Sequence, residues 1–268
     1  MLTPRSRTSD PLDLPPGEIH LWYSRFDDIG GEAILSRYHA LLDDEERRRG
    51  ARFHFERDRL CHLVTRALVR TTLARYLDAR PEELTFSANA FGKPALATFP
   101  GGAAGRLEFN ISHTNCLTIL AVSGDGEIGV DVENAGRRDA SIDIANRFFS
   151  PAEAMALRRT PAARRSLAFF ELWTLKESYV KARGAGLSIP LDQFGFHFSA
   201  ADRLSFSVAA KQDDPSDWHF WQFHPGRDYV AALCARTTGS ERPALVAWET
   251  RPLLFDRGVP LRITRQSE

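Results

Sequence analysis

The chain is 268 residues long, enough for one large domain or two smaller ones with proper cores, so a peptide or small disulfide scaffold is excluded. Lys plus Arg and Asp plus Glu both total 35, with 43% hydrophobic and 26% charged residues, an ordinary globular balance without the positive excess of a nucleic-acid binder. Cys61, Cys116 and Cys234 are odd in number and lack C-x-x-C spacing, which suits a reducing cytosol.

The first residues, Met1 to Pro16, are polar and proline-rich, without a signal-peptide core, and no apolar run of about 18 residues exists to span a bilayer. The expectation is a cytoplasmic protein with a frayed start. Residues 19–26 alternate like a first strand, and a polar helical segment follows, ending near Gly50. From Glu56 to Leu77, Leu60, Val64, Ala67, Leu68, Thr71 and Ala74 recur at helical spacing, with Arg59, Arg66 and Arg70 on another face.

Phe91-Gly-Lys-Pro94 reads as a loop, and residues 107–112 and 117–122 as two strands joined by a loop that holds His113. The turn cluster Ser123-Gly-Asp-Gly126 marks an expected boundary, with lobes at 1–124 and 125–268. Residues 128–133 are the next strand. Ser150-Pro-Ala-Glu153 is a capping-box signal for a helix start, and a longer helix from about Ala162 to Arg183 should stop at Gly184. Residues 194–198, 204–208, 218–223 and 229–234 read as an antiparallel meander. The last segment, with Pro243, Pro252 and Pro260, reads as an irregular extension.

In Ile128-Gly-Val-Asp-Val-Glu133 the period of two sets Asp131 and Glu133 side by side, opposite Ile128, Val130 and Val132. Two such carboxylates repel, and a hard divalent ion such as Mg²⁺ relieves that repulsion; a strand with a solvated acidic face would look the same. In the long helix Phe170, Trp173, Thr174, Glu177 and Lys181 share a stripe, while Ala168, Leu172, Leu175 and Tyr179 line an opposite apolar one. A glutamate on so buried a helix needs a partner. Lys181 one turn away is one candidate, and a metal shared with Asp131 and Glu133 is the other. Phe109-Asn-Ile-Ser-His113 ends a strand with small polar groups and an imidazole, suited to phosphate oxygens or to a plain strand-to-loop cap. Glu153 is accounted for by its cap and Trp173 by the core, and His219, His224 and the cysteines lack ligand spacing.

Taken together, Phe91-Gly-Lys-Pro94, Phe109-Asn-Ile-Ser-His113, Ile128-Gly-Val-Asp-Val-Glu133, Phe148-Phe-Ser-Pro-Ala-Glu153 and Trp173-Thr-Leu-Lys-Glu-Ser-Tyr-Val-Lys181 resemble, in order and spacing, the Sfp-type 4′-phosphopantetheinyl transferases. The resemblance covers about residues 45 to 198 and extends to Leu187-Ser-Ile-Pro-Leu-Asp192.

The resemblance implies an α+β fold of two similar lobes in pseudo-twofold arrangement, each a small antiparallel sheet packed by a long helix. It also implies a reaction. A carrier-protein serine attacks the β-phosphate of coenzyme A, 3′,5′-ADP leaves, and the phosphopantetheine arm stays on the carrier. By resemblance, Asp131, Glu133 and Glu177 hold Mg²⁺, with Mn²⁺ as substitute; Glu177 accepts the serine proton, directly or through a metal water, and Lys181 neutralises the leaving group. Gly92, Lys93, Pro94, Asn110, Ile111, Ser112 and His113 match the coenzyme A blocks, Lys181 meets the same substrate, and Arg49 matches a position facing the 3′-phosphate. Glu46 and Cys61 stand where relatives often carry cations, leaving Arg52 and Arg59 as substitutes.

The expected partners are apo acyl or peptidyl carrier domains of fatty-acid, polyketide or peptide-synthetase type, met by a monomer, with neither nucleic acid nor membrane involved. Two other classes would use related parts: a metal-dependent hydrolase of a nucleotide pyrophosphate, and a non-catalytic carrier-binding module, whose metal ligands should be degraded.

Overall fold

Strand β1 (Glu18–Arg25) is buried on both faces: Ile19, Leu21 and Tyr23 enter one apolar cluster and Trp22 another. The computed structural model describes residues 10–26, 29, 31–98, 107–136, 142–200, 202–208, 213–237 and 241–267. Most of the stretch expected to be frayed, residues 1–9, lies outside these.

After β1 come helices α1 (Glu32–Leu41), α2 (Asp44–Ala51) and α3 (Glu56–Tyr76). The polar segment before Gly50 is thus two helices, because Asp43 and Glu46 close a capping box that starts a new one. Strands β2 (Thr85–Ala88) and β3 (Pro94–Thr98) form a hairpin whose turn, residues 89–93, includes Phe91, Gly92 and Lys93, and β4 (Glu108–Thr114), β5 (Leu117–Ser123) and β6 (Ile128–Asn134) follow. Helix α4 (Ile142–Phe148) precedes α5 (Pro151–Arg159), whose N-cap Ser150 and Glu153 form the expected box, and α6 (Ala162–Arg183). Gly184 ends α6 in the left-handed region at φ 61°, as a residue without Cβ does readily.

Strands β7 (Phe194–Ala200), β8 (Arg203–Val208), β9 (Trp218–Phe223), β10 (Tyr229–Arg236), β11 (Ala244–Arg251), β12 (Phe255–Gly258) and β13 (Ile263–Ser267) complete the chain. Two corrections follow. The terminal segment is three strands, since Pro243, Pro252 and Pro260 fall between strands and interrupt no ladder. Nor is 194–236 a simple meander: β13 lies between β9 and β8, antiparallel to the first and parallel to the second.

The strands form a sheet of order β12-β11-β1-β5-β4 and one of order β6-β10-β9-β13-β8-β7. Their inner faces meet in one cluster, where Ile19, Leu21, Ile119 and Ala121 pack with Ile128, Val130, Val132 and Leu233. On the outer face of the first sheet, Leu68, Val69 and Leu73 of α3 pack against Trp22, Phe109, Leu120 and Val122. On that of the second, Leu172, Leu175 and Tyr179 of α6 meet Phe194, Phe220 and Cys234. The order is helix, sheet, sheet, helix, an α+β architecture in which each sheet carries one long helix. Because β11 pairs in parallel with β1, the later half of the chain lends strands to the first sheet, so a division at 124/125 follows chain order only.

Among the described residues no helix is long and apolar enough to cross a membrane.

Candidate active site

The site forms where the two sheets abut at β4 and β6. The two strands are not laddered to each other; side chains of β4 bond the backbone of β6 instead. Asn110 Oδ1 accepts the Val130 N–H at 2.9 Å, and Ser112 Oγ accepts the Val132 N–H at 3.2 Å. A short polar side chain suits each position because a longer one would hold the strands apart.

Helix α6 approaches β6 closely for a comparable reason. A Cβ on Gly129 would stand 2.1 Å from the Ser178 carbonyl oxygen and 2.4 Å from the Ala182 nitrogen, so only glycine admits the helix here. That contact faces Lys181 toward Asp131. Lys181 Nζ donates to Asp131 Oδ1 at 2.6 Å and to Ser112 Oγ at 2.9 Å, and Ser112 Oγ donates to the same Oδ1 at 2.9 Å. The alternative of a Lys181–Glu177 pair is thereby decided: the ammonium pairs with Asp131, and no ion pair is formed by Glu177 among the described residues.

Burial first, then the charge of Asp131, push the Glu177 carboxyl up to about 7, with Lys181 opposing and Glu133 adding to the rise. Glu133 is half-buried and accepts from Thr114 Oγ1 at 3.4 Å. Strand β6 therefore aims its acids away from the inter-sheet cluster that takes Ile128, Val130 and Val132, as its period of two predicts.

Among the described residues no three His, Cys, Asp or Glu side chains stand close enough to hold a metal ion as they are. The donor set nevertheless suits a hard cation. Asp131 is 4% exposed, and its Oδ2 has no hydrogen-bond partner among the described residues; a buried carboxylate oxygen is costly to leave unpaired. Three mutually repelling carboxylates supply oxygen ligands only, the chemistry that Mg²⁺ takes.

Other expected residues are differently engaged. Lys93 Nζ donates to the carbonyls of Ala182 at 2.8 Å and Ile128 at 3.3 Å, and Asn89 Nδ2 donates to that of Gly184 at 2.6 Å, so the β2–β3 hairpin clasps the end of α6. Burial pushes the Lys93 ammonium down. Gly92, at φ 87°, shapes the hairpin turn, and Pro94 opens β3. Asn110 is buried on Val130, and Ile111 packs beside the α3 cluster. None of these side chains joins the acidic group directly.

Arg49 is exposed on α2, and its neighbour Gly50 lines a cleft of about 700 Å³ between α1, α2, the start of α3 and the β4–β5 turn. His62 lines that cleft, and no sequence motif marked it. Its Nε2 bonds the Glu46 carbonyl at 2.9 Å and its ring tilts on Phe53. Burial, then Arg66 and Arg49, hold His62 below the usual imidazole range, while burial, Lys181 and His62 do the same for His113, which keeps an exposed edge. Arg49, His62, His113 and Lys181 thus interact each with the next, a basic track from α2 to α6 in which both imidazoles favour the neutral form. Glu46, where a cation was expected, is bonded to Arg66 and Arg70, and the Arg70 guanidinium is fully buried.

A sequence profile described as the 4′-phosphopantetheinyl transferase superfamily matches residues 127–234, and one described as 4′-phosphopantetheinyl transferase, N-terminal, matches residues 32–125. A 4′-phosphopantetheinyl transferase of Bacillus subtilis is 31% identical over 199 residues, 74% of this chain and 84% of that one. The chain belongs to the 4′-phosphopantetheinyl transferase superfamily. The 4′-phosphopantetheinyl transferase HetI of Nostoc sp. is likewise 31% identical, over 85% of this chain and 92% of its own. A Synechocystis sp. relative is 35% identical over 60% of this chain, which spans 64% of that protein's length. The crystal structure of Thermotoga maritima holo-[acyl-carrier-protein] synthase shows a partial likeness, covering 43% of this chain and 65% of its own at 21% identity and a TM-score of 0.35. The two transferase profiles together span the strands and helices that carry every residue of the acidic group and the basic track.

Proposed function

We propose that this protein transfers the 4′-phosphopantetheine arm of coenzyme A to a serine of an apo acyl or peptidyl carrier domain and releases 3′,5′-ADP. The observation that carries the reading is the junction of β4, β6 and α6, where Ser112, Asp131 and Lys181 are bonded together beside the raised Glu177, in a member of this transferase superfamily.

Each group has a part. Glu177 takes the proton of the carrier serine, directly or through a metal water, as that oxygen attacks the β-phosphorus. Lys181, anchored on Asp131 and Ser112, sets a cation beside the diphosphate and offsets the charge that builds on the leaving 3′,5′-ADP. Arg49 and His113 bind the nucleotide's phosphates from the α2 side, and His62, through its bond to the Glu46 carbonyl, holds the end of α2 that carries Arg49. Asp131, through its unpartnered Oδ2, together with Glu133 and Glu177, would hold Mg²⁺, or Mn²⁺ in its place, and the ion when bound would polarise the diphosphate as a Lewis acid. The barrier is lowered chiefly by position and charge. The three free cysteines support a cytoplasmic location.

The test mixes purified protein, coenzyme A, Mg²⁺ and apo carrier domains of several classes, then weighs each carrier. One carrier gains a single phosphopantetheine, and Asp131→Ala or Glu177→Ala removes nearly all of the rate. Unchanged carrier masses in every class, or release of 3′,5′-ADP at full rate without any carrier, would overturn the reading.

A further inference from the structure

Arg57, Cys61 and Thr65 recur every four residues along α3 and so share one stripe of the helix. Both ends of that stripe are tied to the same short piece of chain. Arg57 Nη2 donates to Cys116 Sγ at 3.3 Å, and Thr65 Oγ1 bonds Thr118 Oγ1 at 3.0 Å. Cys61 lies midway between these ties and belongs to the apolar cluster against which Cys116 packs. Both thiols are free, Cys61 buried and Cys116 half-buried, and Cys116 opens on the cleft that His62 lines.

We propose that Cys61 and Cys116 are a modifiable thiol pair, converted by a low-molecular-weight disulfide into an intramolecular disulfide that fastens the start of α3 to the β4–β5 turn. Cys116, deprotonated, attacks one sulfur of the small disulfide, whose S–S bond breaks and whose other half leaves as a thiolate. The Arg57 guanidinium, bonded to that sulfur, holds it at the cleft where the small disulfide arrives. Cys61 then gives its proton to solvent and attacks the Cys116 sulfur of the mixed disulfide, expelling the second thiolate. Two protein thiols are oxidised and one small disulfide is reduced to two thiols.

The order follows from the surroundings. Burial pushes the Cys61 thiol up to about 11, so it acts second, at a sulfur already brought beside it. Its access comes through Cys116, which packs against the same apolar cluster and opens on the cleft. Cys234 is an internal control, being fully buried with no partner cysteine near it.

The experiment treats the full chain with glutathione disulfide, blocks the remaining thiols, and maps peptides by mass spectrometry. The wild type yields a linked Cys61–Cys116 peptide and an unmodified Cys234. Cys61→Ser stops at one glutathione on Cys116, and Cys116→Ser shows neither link nor adduct at Cys61. The proposal is overturned if wild-type Cys116 stays reduced while an unstructured cysteine peptide reacts, if it retains glutathione without linking to Cys61, or if Cys61 or Cys234 reacts first. The wild-type map decides the matter even where a serine variant folds poorly, and it reads out independently of carrier modification.

Discussion

At the scale of single residues, the site depends on side chains that hold others in place. Ser112 touches an anion, a cation and a backbone N–H at once, so its removal loosens Asp131 and Lys181 together. Hydrogen bonds to charged groups contribute ~1.5 to 3 kcal/mol each, so Ser112→Ala should lower kcat by roughly 10 to 100-fold, with the KM for coenzyme A changed less. Steady-state kinetics checks that split. His62→Ala, by releasing the Glu46 carbonyl and with it the end of α2 that carries Arg49, should do the opposite, raising KM for coenzyme A by about 10-fold at nearly constant kcat, and the penalty should shrink with a substrate lacking the 3′-phosphate. An equal penalty on both substrates would remove the end of α2 from the phosphate contacts. The faces on which Asp131, Glu133, Glu177 and Lys181 stand were legible in the sequence because the periods of strand and helix assign them. His62 was not legible, since a lone imidazole on a helix gains meaning only from a neighbour 51 positions on, at His113. The engagement of Lys93 and Asn110 by backbone groups was hidden for a similar reason: their partners belong to the other half of the fold.

At the scale of elements, the placement of α6 is decided at two points. Gly129 lets its backbone approach β6, and Gly129→Ala would force a methyl into space held by the Ser178 carbonyl, a backbone atom that cannot swing aside. Overpacking of this kind costs roughly 1 to 3 kcal/mol or more, visible as a lower denaturation midpoint together with lost activity. The second point is Lys176, next to Glu177 and fully buried, whose ammonium bonds Glu153 at 2.8 Å and the carbonyls of Leu191 and Phe194 at 2.7 and 2.8 Å. Glu153 in turn accepts from the Phe196 N–H, so the capping carboxylate also joins α5 to α6 and β7. Lys176→Met leaves that buried carboxylate unpaired and should destabilise the protein by about 3 to 5 kcal/mol; a chemical-denaturation shift of less than 1 kcal/mol would deny the pair this role. Helices α5 and α6 could be read in advance because caps are local chemistry, a serine, a proline and a glycine in fixed places. The second duty of Glu153 could not be, because nothing near it in the chain points to Lys176.

At the scale of the whole molecule, three histidines from different layers share one property. His62, His113 and His219 are each held below the ordinary imidazole value of 6.5, chiefly by burial. The unfolded chain therefore binds protons at these sites before the folded one, and stability present above 6.5 is lost as pH falls through that value toward the depressed folded ones. Glu177, raised to about 7, opposes this in the same window because the folded state takes up its proton first, so the check is a comparison: between roughly pH 7.5 and 5.5 the wild type should lose more Tm than the triple variant His62→Asn, His113→Asn, His219→Asn, and parallel profiles would refute the linkage. The α+β class and the long helices were evident from the sequence, whereas sheet order was not, because pairing across more than 200 positions leaves no local trace. The parallel pairing of β1 with β11 joins Glu18 to Ala244. The chain as far as Ala244 must therefore leave the ribosome before β1 finds that neighbour. Until then one flank of the nascent first sheet stays bare, open to pairing with other chains, and it closes only after a long-range search. Synthesis halted shortly before Ala244 would thus yield a product prone to clump, even though every residue of the catalytic centre had already been made.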